Sequence, residues 1–157
     1  MKLKVYSGTL LINKLIAVKE SDSEVDTGID IEPGDDLAFQ ASGEIWAGVI
    51  RTGNNGSNGW DNIDHDKKFP LHVGPNAHPY CLLGKFNQDG NYFFIGALKN
   101  RSASSHSQVR RLFLRINDNK PGNGRGEFLC RVRYGGSVFL RRSVIQEEFQ
   151  KEWCTAS

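Results

Sequence analysis

The sequence predicts an all-β chain, an antiparallel β-sandwich of jelly-roll type, on three observations. Short stretches alternate apolar with polar residues, as a sheet with one buried face requires. Turn signals recur between them, supplied by 17 glycines beside only five prolines. Helical periodicity is nearly absent. An immunoglobulin-like sandwich meets the same pattern, and only the order of strands separates the two.

Taken in order, residues 2–18 read as one or two strands, with Val5, Leu10, Leu11, Ile12, Leu15, Ile16 and Val18 as candidate core. An acidic loop covers 20–26, and Thr27–Ile31 forms a short strand before the Glu32-Pro33-Gly34-Asp35 turn. Leu37, Phe39 and Ala41 then alternate in a half-buried strand that Ser42-Gly43 should break, with a further strand at Glu44–Ile50. Residues 51–80 lose all periodicity, and an excursion of that length inside one domain is usually functional or mobile. Strands resume at Cys81–Phe86 and Tyr92–Ile95, followed by a polar loop over 99–110. Arg111–Tyr134 reads as a hairpin: Leu112, Leu114 and Ile116 face the core on one strand, and Phe128, Cys130, Val132 and Tyr134 on the other. Its polar tip holds Asn117-Asp118-Asn119 and Pro121-Gly122-Asn123-Gly124. Gly135-Gly136 should turn into a strand at Ser137–Leu140. Ile145, Phe149 and Trp153 recur at helical spacing, so a short C-terminal helix is expected in the extension 135–157.

One domain spanning 1–157 is the simplest organisation, and 157 residues bury a core without disulfides. Cys81, Cys130 and Cys154 have no metal-binding spacing, and Cys130 falls on the predicted core face. Met1-Lys2-Leu3-Lys4-Val5-Tyr6 alternates and is not a signal peptide. Cytoplasmic residence is therefore expected, with secretion by a non-standard route as the alternative. No run reaches the roughly 20 apolar residues that span a bilayer. The net charge of +2 conceals a segregation. Residues 20–36 carry eight acids and no Lys or Arg, whereas 99–142 carry eleven Lys and Arg against Asp118 and Glu127. If the hairpin pairs, Arg111, Phe113 and Arg115 share an outer face with Leu129, Arg131 and Arg133. That face would suit a subunit interface or a polyanion.

Several pieces occur in a telling order: Asp26-Thr27-Gly28-Ile29-Asp30-Ile31-Glu32-Pro33-Gly34-Asp35, Phe39-Gln40-Ala41-Ser42-Gly43, Cys81-Leu82-Leu83-Gly84-Lys85-Phe86, Phe94-Ile95-Gly96, Leu112-Phe113-Leu114-Arg115-Ile116-Asn117-Asp118 and Gly126-Glu127-Phe128. Together, over about residues 25–134, they resemble the LecA-type bacterial lectins, calcium-dependent galactose binders, and their galactose-binding-domain-like relatives. The resemblance implies a calcium ion bridging protein and sugar, held by Asp118, Asn123 and the backbone carbonyl at Ala47. Calcium takes six to eight hard oxygens, so this donor set is chemically sensible. The tip is shorter than in those lectins, and Gly124-Arg125 follows Asn123 where they have adjacent asparagines.

The residues themselves add a sugar-binding set. Trp60 lies among glycines, amides and acids, and the C–H face of a sugar stacks on such a ring while Asp118, Asn62 and His65 meet hydroxyls. Competing structural roles are an Asx-turn for Asp118 and a loop anchor for Trp60. No nucleophile elbow, phosphate loop or zinc-protease helix is present, so a non-enzyme is expected. The reading is a glycan-binding module of galactose type, homo-oligomeric because one shallow sugar site binds weakly. Its alternatives are an assembly module or a polyanion binder.

Overall fold

A computed structural model describes residues 9–61, 71, 73–75, 77–101 and 107–137. Nine strands form two antiparallel sheets: β1 (Thr9–Lys19), β2 (Val25–Ile31), β3 (Asp36–Trp46), β4 (Asn54–Asn55), β5 (Leu82–Phe86), β6 (Tyr92–Phe94), β7 (Leu98–Arg101), β8 (Arg110–Ile116) and β9 (Arg125–Ser137). The first sheet runs β1-β9-β3, with β4 and β7 both pairing β3, and the second runs β2-β8-β5-β6. Except at β3–β4 and β5–β6, the connection between successive strands passes from one sheet to the other. That interleaving is the jelly roll, and it excludes the immunoglobulin-like order.

Between the sheets lie Val18, Ile29, Phe39, Ile45, Leu82, Ile95, Leu112, Leu114, Phe128, Cys130 and Val132, all essentially without solvent contact. Each of the larger side chains contributes about 1.5–3 kcal/mol by leaving water. The alternation read from the sequence is the cause, because Leu112, Leu114 and Ile116 on β8 meet Phe128, Cys130 and Val132 on β9 across the core.

This opposition corrects the predicted hairpin. β8 pairs with β2 and β5, whereas β9 pairs with β1 and β3. Two adjacent strands with one apolar face each can pair edge to edge or stand face to face. Residues 117–124 are long enough for the second. The four-arginine surface consequently does not form: Arg111 and Arg115 belong to one sheet, Arg131 and Arg133 to the other.

Other elements differ more locally. β3 runs unbroken through Ser42-Gly43, pairing with Leu129 and Phe128. β9 likewise continues through Gly135 and Gly136 instead of turning. Part of the expected 99–110 loop is β7. Leu11 and Leu15, expected in the core, are 56% and 58% exposed, since β1 turns Ile12, Ile16 and Val18 inward. Val5, the Ser137–Leu140 strand beyond Ser137 and the C-terminal helix lie outside the described residues. Among those described, no helix is long and apolar enough to cross a membrane.

The segregated charges are partly matched within the chain. Arg111 Nε donates to Asp30 at 2.7 Å and Nη1 to Asp26 at 3.1 Å, tying β8 to β2. Arg110 and Arg101 stack 4.0 and 4.2 Å from the ring centres of Phe86 and Phe93. On the second sheet's outer face Lys85 is buried, 2.8 Å from Glu24 and 4.9 Å over the Tyr92 ring, and the Tyr92 hydroxyl donates to Glu24. Burial opposes ionisation of Glu24, but the hydrogen bonds from Lys85 and Tyr92 and the Lys85 charge prevail and hold its carboxyl below the usual value. A carboxyl whose pKa is depressed by folding stabilises the fold above its unfolded value and loses that contribution as pH falls through the folded value. Glu24→Gln should therefore cost about 1–3 kcal/mol in urea unfolding at pH 7. The difference from wild type should shrink in acid, below the ordinary carboxylate range.

Candidate functional site

The connection that carries the chain from β8 to β9 is built on Asn117, which is fully buried. Its Nδ2 donates to the carbonyls of Leu71, His78 and Ala77 at 3.2, 3.3 and 3.5 Å. Its backbone N–H donates to Cys81 O at 2.9 Å, and its carbonyl accepts from Tyr80 N at 2.9 Å. One asparagine thus binds the end of the 51–80 excursion to the tip of the 111–134 segment.

From that anchor the excursion is zipped onto itself. Trp60 N–H donates to Pro79 O at 2.7 Å, and Leu82 N–H donates to Ser57 O at 2.9 Å. Gly59 makes this approach feasible: at φ 87° a β-carbon there would stand 2.5 Å from Pro79 O. Tyr80 is held in the left-handed region at φ 66°, which is uncommon for a bulky residue and often marks a functional segment. A short 3-10 turn at Ile50–Thr52 follows β3, with Thr52 Oγ1 donating to Val49 O at 2.8 Å.

Asp118 comes next along the chain and is only 3% exposed. Its Oδ1 accepts from Lys120 N at 3.0 Å, the Asx-turn anticipated for it. Its Oδ2 is buried and has no hydrogen-bond partner among the described residues. Such an orphan is costly, because burial strips the oxygen of water without replacing it. Arg115 Nη2 donates to the Asp118 carbonyl at 3.0 Å and Nε to the Ile116 carbonyl at 3.2 Å, fixing the turn from the outer side.

Across the tip, Asn123 lies within reach of three oxygens: Lys120 O at 2.8 Å, Ala47 O at 3.0 Å and Glu20 Oε1 at 3.2 Å. With its amide nitrogen turned toward them, it donates to all three. Oxygens gathered this closely repel one another unless a donor or a cation lies among them. Gly124 allows the tip to press on the β3 end, since a β-carbon there would fall 1.7 Å from Trp46 O.

A cavity of about 370 Å³ opens between these pieces, lined by Ala47, Arg51, Trp60, Tyr80, Asp118, Lys120 and Asn123 among others. Four residues singled out from the sequence, Ala47, Trp60, Asp118 and Asn123, therefore meet around one space. Asn62 and His65 lie outside the described residues. Arg51, Tyr80, Lys120 and Glu20 were not foreseen. Glu20 sat in an acidic run that read as a solvated loop, yet it is buried, with both carboxylate oxygens 3.2 Å from Gly122 N. Burial pushes the Cys81 thiol beneath the cavity floor up to about 12, so it is a packing residue and not a nucleophile.

No family model and no curated protein matches the chain. Among solved structures, it is similar to the N-terminal domain of EclA, described as a PllA-like lectin. The TM-score is 0.54 at 18% identity, over 78% of this chain and 95% of that one. At that identity the likeness is one of fold. The chain has a lectin-like β-sandwich fold.

Asn117→Ala should cost about 1–3 kcal/mol in chemical denaturation, through carbonyls left without a donor. Hydrogen exchange should show faster exchange at Tyr80 and Trp60, with the core amides of β8 little changed.

Proposed function

We propose that the chain is a non-catalytic carbohydrate-binding module whose site is the cavity between the excursion and the tip. The observation that carries this is the unpartnered Asp118 Oδ2, buried in the wall of a cavity that Trp60 also lines. A carboxylate oxygen without a donor is suited to sugar hydroxyls or to a cation, and an indole beside it suits the apolar face of a pyranose. The lectin-like fold of the EclA neighbour supports the same reading.

Calcium and a galactose-type ligand belong to the proposal. The donors present fit a hard cation: Asp118 Oδ2, the Asn123 amide oxygen, and the carbonyls of Ala47 and Lys120, which already converge on the Asn123 side chain. With calcium bound, the Asn123 amide would present its oxygen to the ion, whereas without a cation hydrogen bonding to these oxygens favours its nitrogen there. The ion would polarise adjacent sugar hydroxyls and fix their direction. The protein's own part is to hold Asp118 through Asn117 and Arg115, to stack a ring on Trp60, and to keep the floor dry with Tyr80 and Cys81.

The exposed Leu11, Leu15 and Leu98 on the outer face of the first sheet support homo-oligomerisation, which would multiply a weak single site. Leu15→Glu should then shift sedimentation toward the monomer, while a wild type that sediments as a monomer would refute it.

A glycan array probed with and without a chelator tests the main reading, and galactose-terminated glycans should be retained only in calcium. Millimolar calcium should raise the melting temperature by several degrees, the expected size for a ligand at about 100 times its Kd. Asp118→Asn should abolish both responses. An array blank under both conditions would overturn the carbohydrate reading.

A further inference from the structure

The cavity wall carries more positive charge than a neutral sugar needs. Arg51, on the 3-10 turn, and Lys120, on the tip, both line it, and both side chains are exposed at its mouth. Among the described lining residues Asp118 is the only carboxylate, with Glu20 behind the wall 3.2 Å from the Asn123 amide, so the cations on the wall itself exceed its anions. Among the described residues neither Arg51 nor Lys120 forms an ion pair; the salt bridges there involve Lys85 and Arg111. Three other cations are committed, Arg111 to Asp26 and Asp30, Lys85 to Glu24, and Arg115 to the carbonyls beneath the site; what distinguishes Arg51 and Lys120 is that they share one cavity wall with Asp118.

Resting on the carbohydrate reading above, we infer that the site selects an acidic saccharide. Arg51 and Lys120 receive a carboxylate on the sugar while Asp118 and Trp60 hold its hydroxyls and ring face. The chemistry of the two cations is complementary. A guanidinium offers two parallel N–H groups to a planar carboxylate, and an ammonium adds a point charge that adjusts on its flexible stem. Their arrangement supports the assignment, since Arg51 and Lys120 line the same cavity as Asp118, Tyr80 and Trp60. The hydroxyl-binding floor and the cationic rim are therefore parts of one small space and not separate surfaces. A cation bound at Asp118 would offset the repulsion between that carboxylate and an acidic ligand, so the preference should be stronger in calcium than in chelator.

The test uses matched pairs that differ only at C6: the methyl glycosides of galactose, glucose and mannose against those of the corresponding uronic acids. Titrations are followed by tryptophan fluorescence and calorimetry on the full chain in calcium. The wild type should bind the uronide of at least one pair about fivefold or more tighter than its neutral partner, with the ratio falling as salt rises. The double substitution Arg51→Gln, Lys120→Gln should bring that ratio close to one. Circular dichroism establishes that the variant is folded, and a Lys14→Gln control on the far strand β1 should keep the wild-type ratio. Galactose 6-sulfate, run beside the galactose pair, distinguishes a carboxylate from any anion, and tighter binding of the sulfate would overturn the carboxylate assignment. Saturable binding of a neutral sugar with no gain for its uronide refutes the acidic preference and leaves the carbohydrate reading standing. Absence of saturable binding in every pair refutes both.

Discussion

The structure depends on one buried amide. Asn117 has no solvent contact, and what it binds is backbone: three carbonyls through its side chain, and the main chain of Tyr80 and Cys81 through its own. A segment without regular structure cannot satisfy its carbonyls by a ladder, and if it is to pack against a sheet end something must donate to them. Asparagine does so with two N–H groups on a short, stiff stem. Everything in the cavity follows from that choice. Trp60 reaches the cavity because 79–81 is held, Asp118 is buried because the excursion covers the tip, and the orphaned oxygen exists because Asp118 is buried.

Charge is used differently at the two ends of the molecule. Along β2, β5, β7 and β8 the cations close the sandwich: Arg111 joins two strands, Lys85 sits on aromatic rings beside Glu24, and Arg101 and Arg110 lie over Phe93 and Phe86. These groups are spent on structure, and the long stems of such residues cover apolar surface as well as carrying charge. Around the cavity the reverse holds. Arg51 and Lys120 line open space, and Asp118 in the same wall is anchored by a backbone contact.

Much of this was legible in the sequence because period-two alternation reports burial directly. Leu112-Phe113-Leu114-Arg115-Ile116 and Phe128-Leu129-Cys130-Arg131-Val132 each announce a strand with one dry face. What alternation does not report is the partner. The same two strands satisfy their patterns paired in one sheet or opposed in two, and the choice lies in the length of the link between them. Gly43, Gly135 and Gly136 misled for a related reason: glycine permits a turn but also permits close packing against a neighbouring backbone, as at Gly43, where a β-carbon would meet Glu127 O at 2.5 Å. The meeting of Ala47, Trp60, Asp118 and Asn123 was anticipated in part, from a tryptophan in an amide-rich loop and an Asn-Asp pair at a tip. Arg51, Lys120 and Glu20 carried no such signal, since a lone charge in a loop looks the same whether it faces a cavity or bulk water.

The route of residues 117–124 has a mechanical consequence. Because this link leaves one layer at Ile116 and enters the other at Arg125, with Ala47 and the β3 end pressed against it, any occupant gripping both its shoulders behaves as a rivet through the two plates. With such a rivet in place, sliding one plate over the other would require it to shear, so the end of the sandwich that carries the cavity would also be the end where the layers are least free to part.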